Sequence, residues 1–69
     1  MVEVFKTNVM ESGRAKELIK NLIDQFPSLK INFDLDDCDK ILRVEGENIQ
    51  PEPVIRIVNA RGYECSVLD

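Results

Sequence analysis

SGRAKELIKNLIDQF, residues 12–26, is the stretch that decides the fold of this 69-residue chain. Its apolar residues recur at intervals of three and four, which is the spacing of one face of an α-helix. They are Ala15, Leu18, Ile19, Leu22, Ile23 and Phe26. Ser12 is a suitable N-cap, and Pro27 ends the pattern because proline has no backbone N–H and disfavours α conformation in the residue before it. We therefore expect a helix from Ser12 to Gln25 with an apolar side facing a core.

Strand patterns flank this helix on both sides. Val2–Thr7 is rich in β-branched and aromatic residues, and residues 8–13 are typical of a loop. After the helix, apolar and polar residues alternate, as they do in a half-buried strand. The apolar ones are Ile31, Phe33 and Leu35. A short acidic stretch, 36–39, separates this strand from another at 40–45, which is typical of a hairpin of antiparallel neighbours.

The last third of the sequence predicts a second helix and a closing strand. Pro51 and Pro53 are tolerated in the first turn of a helix. An apolar stripe follows at Val54, Ile57 and Val58. Gly62 fits the C′ position, where left-handed backbone is favourable only for glycine, and residues 63–68 have the composition of a strand.

The resulting order of elements, βαββαβ, indicates a single α+β domain over residues 1–69. Right-handed crossovers leave few topologies for this order, and we expect the ferredoxin-like sandwich. Its antiparallel four-stranded sheet has the order 4-1-3-2, and both helices cover one face. In this topology the loops at 8–13, 36–39 and 61–63 lie at the same end of the sheet.

Composition argues against several classes of function. The chain has 13 acidic and 9 basic residues, a net charge of −4, which disfavours nucleic acid and anionic lipid as partners. It contains no histidine, the usual general base near neutral pH, and no apolar run long enough to span a membrane. The absence of a signal peptide favours the cytoplasm and two free thiols. We expect a protein that is not an enzyme.

Several segments together resemble one family. They are Val4-Phe5-Lys6-Thr7-Asn8-Val9 before an amphipathic helix, Phe33-Asp34-Leu35, and Ala60-Arg61-Gly62-Tyr63. These are similar to the heavy-metal-associated domains of copper chaperones and metal-pumping ATPases, and the likeness covers nearly the whole chain. The family's first loop carries Met-x-Cys-x-x-Cys, whose thiolates hold copper. The same register places Val9 at the methionine position and Glu11 and Arg14 at the two cysteine positions, so we expect no metal site of the family's kind.

The resemblance therefore implies a small binding or adaptor domain on a metallochaperone-like scaffold that has lost its metal loop. The alternative is a divergent heavy-metal binding or transport protein, in which Cys38 holds copper or zinc with the nearby carboxylates of Asp36 and Asp37. A third class, an acylphosphatase-like enzyme, is suggested only weakly by Asn8, Gly13 and Arg14. Cys65 shares strand parity with apolar neighbours and is interpreted as a core residue.

Two surfaces are candidates for binding a protein partner or a second copy of the chain. If Phe5, Leu42 and Val44 point into the core, then Val2, Val4 and Ile41 lie together on the other face of the sheet and form an apolar patch. The second surface is the end that carries the loops, with Glu11, Arg14 and Tyr63 as candidate contacts. Glu11 and Arg14, three residues apart at the start of the helix, are also expected to form a simple surface ion pair.

Overall fold

A computed structural model describes residues 1–68 of the chain. The elements are β1 (Val2–Thr7), α1 (Ser12–Gln25), β2 (Lys30–Asp34), β3 (Ile41–Glu45), α2 (Pro51–Ala60) and β4 (Cys65–Val67). The four strands form one antiparallel sheet in the order β2-β3-β1-β4, which has the same neighbours as the predicted 4-1-3-2 counted from the opposite edge. The prediction of a small α+β structure with two helices and a four-stranded sheet is thus confirmed.

The strand register brings three loops to one end of the sheet. Thr7, the last residue of β1, pairs with Cys65, the first residue of β4, and Asp34 at the end of β2 pairs with Ile41 at the start of β3. The loops after β1, between β2 and β3, and before β4 therefore lie side by side, as predicted. We call residues 8–11, 35–40 and 61–64 the loop end.

Both helices pack on the same face of the sheet. The core between them is formed by fully buried side chains of β1, β3 and the two helices. They are Phe5, Leu22, Leu42, Val44, Val54 and Val58, none more than 1% exposed. Because successive side chains of a strand point to opposite faces, the alternate residues of β1 and β3 point away from the helices. We call that side of the sheet the open face.

The end of α2 forms the glycine cap that the sequence predicts. Gly62 has a φ of +91°, and its N–H donates to the Asn59 carbonyl at 2.9 Å. The Tyr63 N–H donates to the Val58 carbonyl at 3.3 Å. These two bonds are those of a Schellman motif, which satisfies carbonyls that the last turn of a helix leaves free. The cap fixes the direction in which residues 61–64 leave the helix.

Some local predictions are wrong. Ser12 is the first helical residue and not the N-cap; Glu11 holds that position and forms no side-chain capping bond. Leu35 belongs to the turn and not to β2, because the Lys40 ammonium donates to its carbonyl at 2.8 Å and closes the turn around it. Ile23 is 40% exposed, since the apolar stripe of α1 is wider than the surface that the sheet and α2 cover.

Candidate functional site

The loop end is organised around the hydroxyl group of Thr7. This side chain is only 6% exposed, at the point where β1 ends. Its Oγ1 donates to the Lys40 carbonyl and accepts from the Val9 N–H at 3.2 Å. The Thr7 N–H also donates to the Asp39 carbonyl, at 3.1 Å. One residue therefore joins the loop after β1 to the β2–β3 turn.

Val9 and Asn8 hold the first loop in place on its other sides. Val9 is fully buried in a small second core with Ala15 and Leu18 of α1. The Asn8 Oδ1 accepts from the Glu64 N–H at 2.8 Å, which ties the first loop to the chain that enters β4. The sequence analysis placed Val9 at the methionine position of the family's metal loop and Asn8 among weak candidates for an acylphosphatase-like site, and it did not predict these contacts. The sequence signal for the Asn8 bond is the residue type, because the side chain of an asparagine in a loop often bonds to backbone groups.

The residues at the family's two cysteine positions are both on the surface. Glu11 and Arg14 are exposed, and they do not form the expected ion pair. Arg14 instead lies beside Glu17, with Nη1 and Oε2 4.0 Å apart. The helical backbone explains the difference, because Glu11 is the N-cap residue with extended backbone while Glu17 is one turn further along the same helix.

The β2–β3 turn brings together three side chains with metal-ligand chemistry. The ligand atoms of Asp37, Cys38 and Asp39 all lie within 4.8 Å of one another, whereas the predicted member Asp36 is not part of this group. The Asp37 Oδ1 already accepts from the Asp39 N–H at 2.8 Å. The Asp39 Oδ1 also lies 3.8 Å from the Lys6 ammonium. Two of the three groups therefore have roles in the turn itself.

The open face carries the apolar residues that the sequence suggested for a binding surface. Val2 is 41% exposed, and Val4 and Ile41 are half-buried. Leu68, which the sequence analysis did not single out, joins them with 38% exposure. Its N–H donates to the Val4 carbonyl at 2.9 Å, which places it beside β1.

The two cysteines have different surroundings, and both are free thiols. Cys38 is exposed in the β2–β3 turn, whereas Cys65 is half-buried and packs against the main core. Burial raises the pKa of the Cys65 thiol to about 11. Tyr63, also half-buried, packs against both cores and lies at the junction of α2 and β4.

No protein-family model matches this chain. No curated protein matches it significantly in sequence. Within residues 1–68, neither helix has the length and apolar character needed to cross a membrane. The resemblance to heavy-metal-associated domains therefore stays a prediction.

Replacing Thr7 by valine will lower the free energy of unfolding by about 2 kcal/mol, because the buried Val9 N–H then has no acceptor. Thr7→Ser keeps the hydroxyl group and should lose less than half as much. Urea denaturation of the two variants measures both effects. Equal stability of Thr7→Val and Thr7→Ser would show that the hydroxyl bonds do not hold the loop end together.

The stability of the protein should fall as the pH rises from about 9 to about 11, in part because of Cys65. The pKa of this thiol is higher in the folded state than in the unfolded state. As the pH rises, the unfolded chain therefore loses the thiol proton first, and the free energy of unfolding falls over that interval. Below pH 9 this contribution to the free energy of unfolding is fully present. Urea denaturation across the interval should show a smaller fall for Cys65→Ala. Cys38→Ala is the matched control and should follow the unmodified protein; identical profiles for both variants would contradict the assignment.

Proposed function

We propose that this chain is a protein-binding domain without catalytic activity, and that it binds its partner through the open face. The observation that carries the proposal is the group of accessible apolar side chains on a sheet face that the helices do not cover. They are Val2, Val4, Ile41 and Leu68, which we call the apolar patch. A group of neighbouring apolar side chains on the surface of a small domain often marks an association site.

The register of the sheet makes the patch continuous. Val4 lies opposite Arg43 in the β1–β3 pair, and Leu68 lies on the other side of Val4. Ile41 is on β3 two residues from Arg43, on the same face. Arg43 therefore stands between Val4 and Ile41 on this face, and its methylene groups can add apolar surface there while its charged end stays in water.

The charges around the patch indicate what kind of partner it binds. The open face carries three basic side chains and two acidic ones, although the whole chain has a net charge of −4. The basic residues are Lys6, Lys30 and Arg43, and the acidic ones are Asp34 and Glu45. Complementary potentials steer association and select partners. Lys6 already lies beside Asp39, whereas among residues 1–68 no carboxylate lies within 4 Å of Lys30 or Arg43. We infer that the partner is a protein whose own apolar surface is bordered by acidic side chains, which pair with Lys30 and Arg43.

A second copy of the chain fits this face less well than a different protein does. Strand spacing gives the face an area of about 300 Å², whereas each partner in a typical stable complex buries about 800 Å². Two copies also each carry a net charge of −4 and repel one another. A different protein that extends beyond the sheet has neither disadvantage.

The proposed scaffold is the ferredoxin-like sandwich, in a form similar to heavy-metal-associated domains. The support is the βαββαβ order with the neighbours β2-β3-β1-β4, together with the segments around Phe5, Phe33 and Gly62. Glu11 and Arg14 would stand where that family has thiolates. A carboxylate is a hard ligand and a guanidinium is never deprotonated at ordinary pH, so neither replaces a thiolate for copper. Two free thiols support a cytoplasmic location.

The double variant Val4→Thr/Ile41→Thr should lose the partner while keeping its fold, because threonine retains the β-branched shape and removes apolar surface. The chain would be immobilised and exposed to extract from its own cell. A protein retained by the unmodified chain should be absent with the double variant and present with Ile23→Thr, which alters an exposed isoleucine on α1. Added salt should weaken the retention.

Equal retention by the double variant and by Ile23→Thr would contradict binding through the open face. Sedimentation equilibrium from micromolar to millimolar protein tests the second copy as occupant. We expect a monomer throughout this range. A dimer that the double variant abolishes would show that the patch binds a second copy and would overturn the proposal of a different protein.

The competing function, heavy-metal binding at Cys38, is favoured by the convergence of its thiol with Asp37 and Asp39. Titration with Zn(II) and Cu(I), followed by amide NMR, tests it. The adaptor proposal predicts no saturable shifts at residues 36–40 at stoichiometric metal. Shifts confined to those residues and removed by Cys38→Ala would establish the metal site instead. Cys65→Ala is the matched control.

A further inference from the structure

Two arginines that are far apart in the sequence border one cavity of about 160 Å³. The cavity lies between the first half of α1 and the turn that joins α2 to β4. Its lining residues are Arg14, Glu17, Leu18, Asn21, Arg61 and Tyr63. We call it the arginine cavity. It is separate from the open face, because α1 and α2 cover the opposite side of the sheet.

Hydrogen bonds of the backbone N–H groups hold both walls of the arginine cavity. One wall is the regular helix α1. The other wall, residues 61–64, is fixed by the Schellman motif and by the bond from the Glu64 N–H to the Asn8 Oδ1 at 2.8 Å. The positions from which Arg61 and Tyr63 project are therefore set before any ligand binds, which lowers the entropic cost of binding.

The charge in the cavity favours an anion. Within residues 1–68 the Arg14 guanidinium forms one ion pair, with Glu17 at 4.0 Å, and both side chains are more than 60% exposed, so this ion pair is weak. Among residues 1–68, no carboxylate lies within 4 Å of the Arg61 guanidinium. Asn21 and Tyr63, whose side chains carry uncharged donors, are also lining residues.

The floor of the cavity is apolar and so limits the kind of anion. The half-buried Tyr63 supplies this apolar surface, since Leu18 is only 1% exposed and Tyr63 packs against it in the second core. A bare inorganic anion leaves this floor without contacts. A carboxylate on a short aliphatic stem contacts the floor through its methylene groups and the arginines through its oxygens, which guanidinium groups bind in bidentate geometry.

We infer that the arginine cavity binds the carboxylate of a glutamate or aspartate side chain that projects from a protein partner. Only the source of the carboxylate rests on the proposed function, since the cavity's chemistry is independent of the apolar patch. Arg14 and Arg61 bind the carboxylate oxygens, and the ring of Tyr63 contacts the stem. Glu17 moves from the Arg14 guanidinium toward water when the ligand enters.

The test is an amide NMR titration with N-acetyl-glutamate methylamide, which presents a single side-chain carboxylate. We expect saturable shifts at residues 14–21 and 61–63. Arg61→Gln should weaken the binding about tenfold, because it removes a charge-assisted hydrogen bond. Arg56→Gln, an exposed arginine of α2 outside the cavity, is the matched control and should bind as the unmodified chain does.

Two further probes identify the ligand chemistry. N-acetyl-glutamine methylamide, which lacks the charge, should produce no saturable shifts, and inorganic phosphate should bind more weakly than the glutamate probe. Equal binding of the glutamine probe would overturn the carboxylate assignment, and tighter binding of phosphate would overturn the role of the apolar floor. An unchanged affinity in Arg61→Gln would overturn the site.

The variant Val4→Thr/Ile41→Thr separates this inference from the proposed function. It should bind the glutamate probe as the unmodified chain does. If it also retains the protein partner, the open-face proposal fails while the cavity stands. If the unmodified chain captures a partner but shows no saturable shifts with the glutamate probe, the cavity fails and the open face stands.

Discussion

The loop end depends on the two hydrogen bonds of the Thr7 hydroxyl group. Thr7 is the one buried polar side chain among residues 1–68, and it both donates and accepts a hydrogen bond. A buried hydroxyl without partners is costly, so the Val9 N–H and the Lys40 carbonyl must stay where they satisfy it. The loop after β1 and the β2–β3 turn are thereby held together although they are distant in the sequence.

The two proposed binding surfaces follow from separate constraints. The apolar patch depends on strand parity, because the same alternation that buries Phe5 and Leu42 turns Val4 and Ile41 toward the open face. The arginine cavity depends instead on how α2 ends, since the Schellman motif directs Arg61 and Tyr63 toward α1. The two surfaces share no residue, so a substitution on one does not alter the side chains of the other. The variants Val4→Thr/Ile41→Thr and Arg61→Gln therefore test them separately.

Periodicity and turn chemistry were enough to predict the elements of this fold. The apolar spacing of residues 15–26 predicts α1 and Pro27 predicts where it ends, whereas its N-cap is Glu11 and not Ser12. Gly62 occupies the C′ position that was predicted for a glycine. The site was less predictable because its pairs depend on tertiary geometry. Nothing in the local sequence shows that Arg14 and Arg61 line the same cavity, or that the Thr7 hydroxyl group bonds to the Lys40 carbonyl. Those pairings appear only when segments that are distant in the sequence are placed side by side.

The same loop geometry bears on the proposed likeness to heavy-metal-associated domains. In that family thiolates in the first loop hold a metal ion, whereas in this chain side chains of the protein hold the first loop in place. Val9 is buried against α1, Thr7 bonds to the β2–β3 turn, and Asn8 bonds to the approach to β4. A loop fixed in this way has no need of an ion for its order. Positions 11 and 14 are exposed and carry charged side chains, and Arg14 at the arginine cavity is the one for which we propose a ligand.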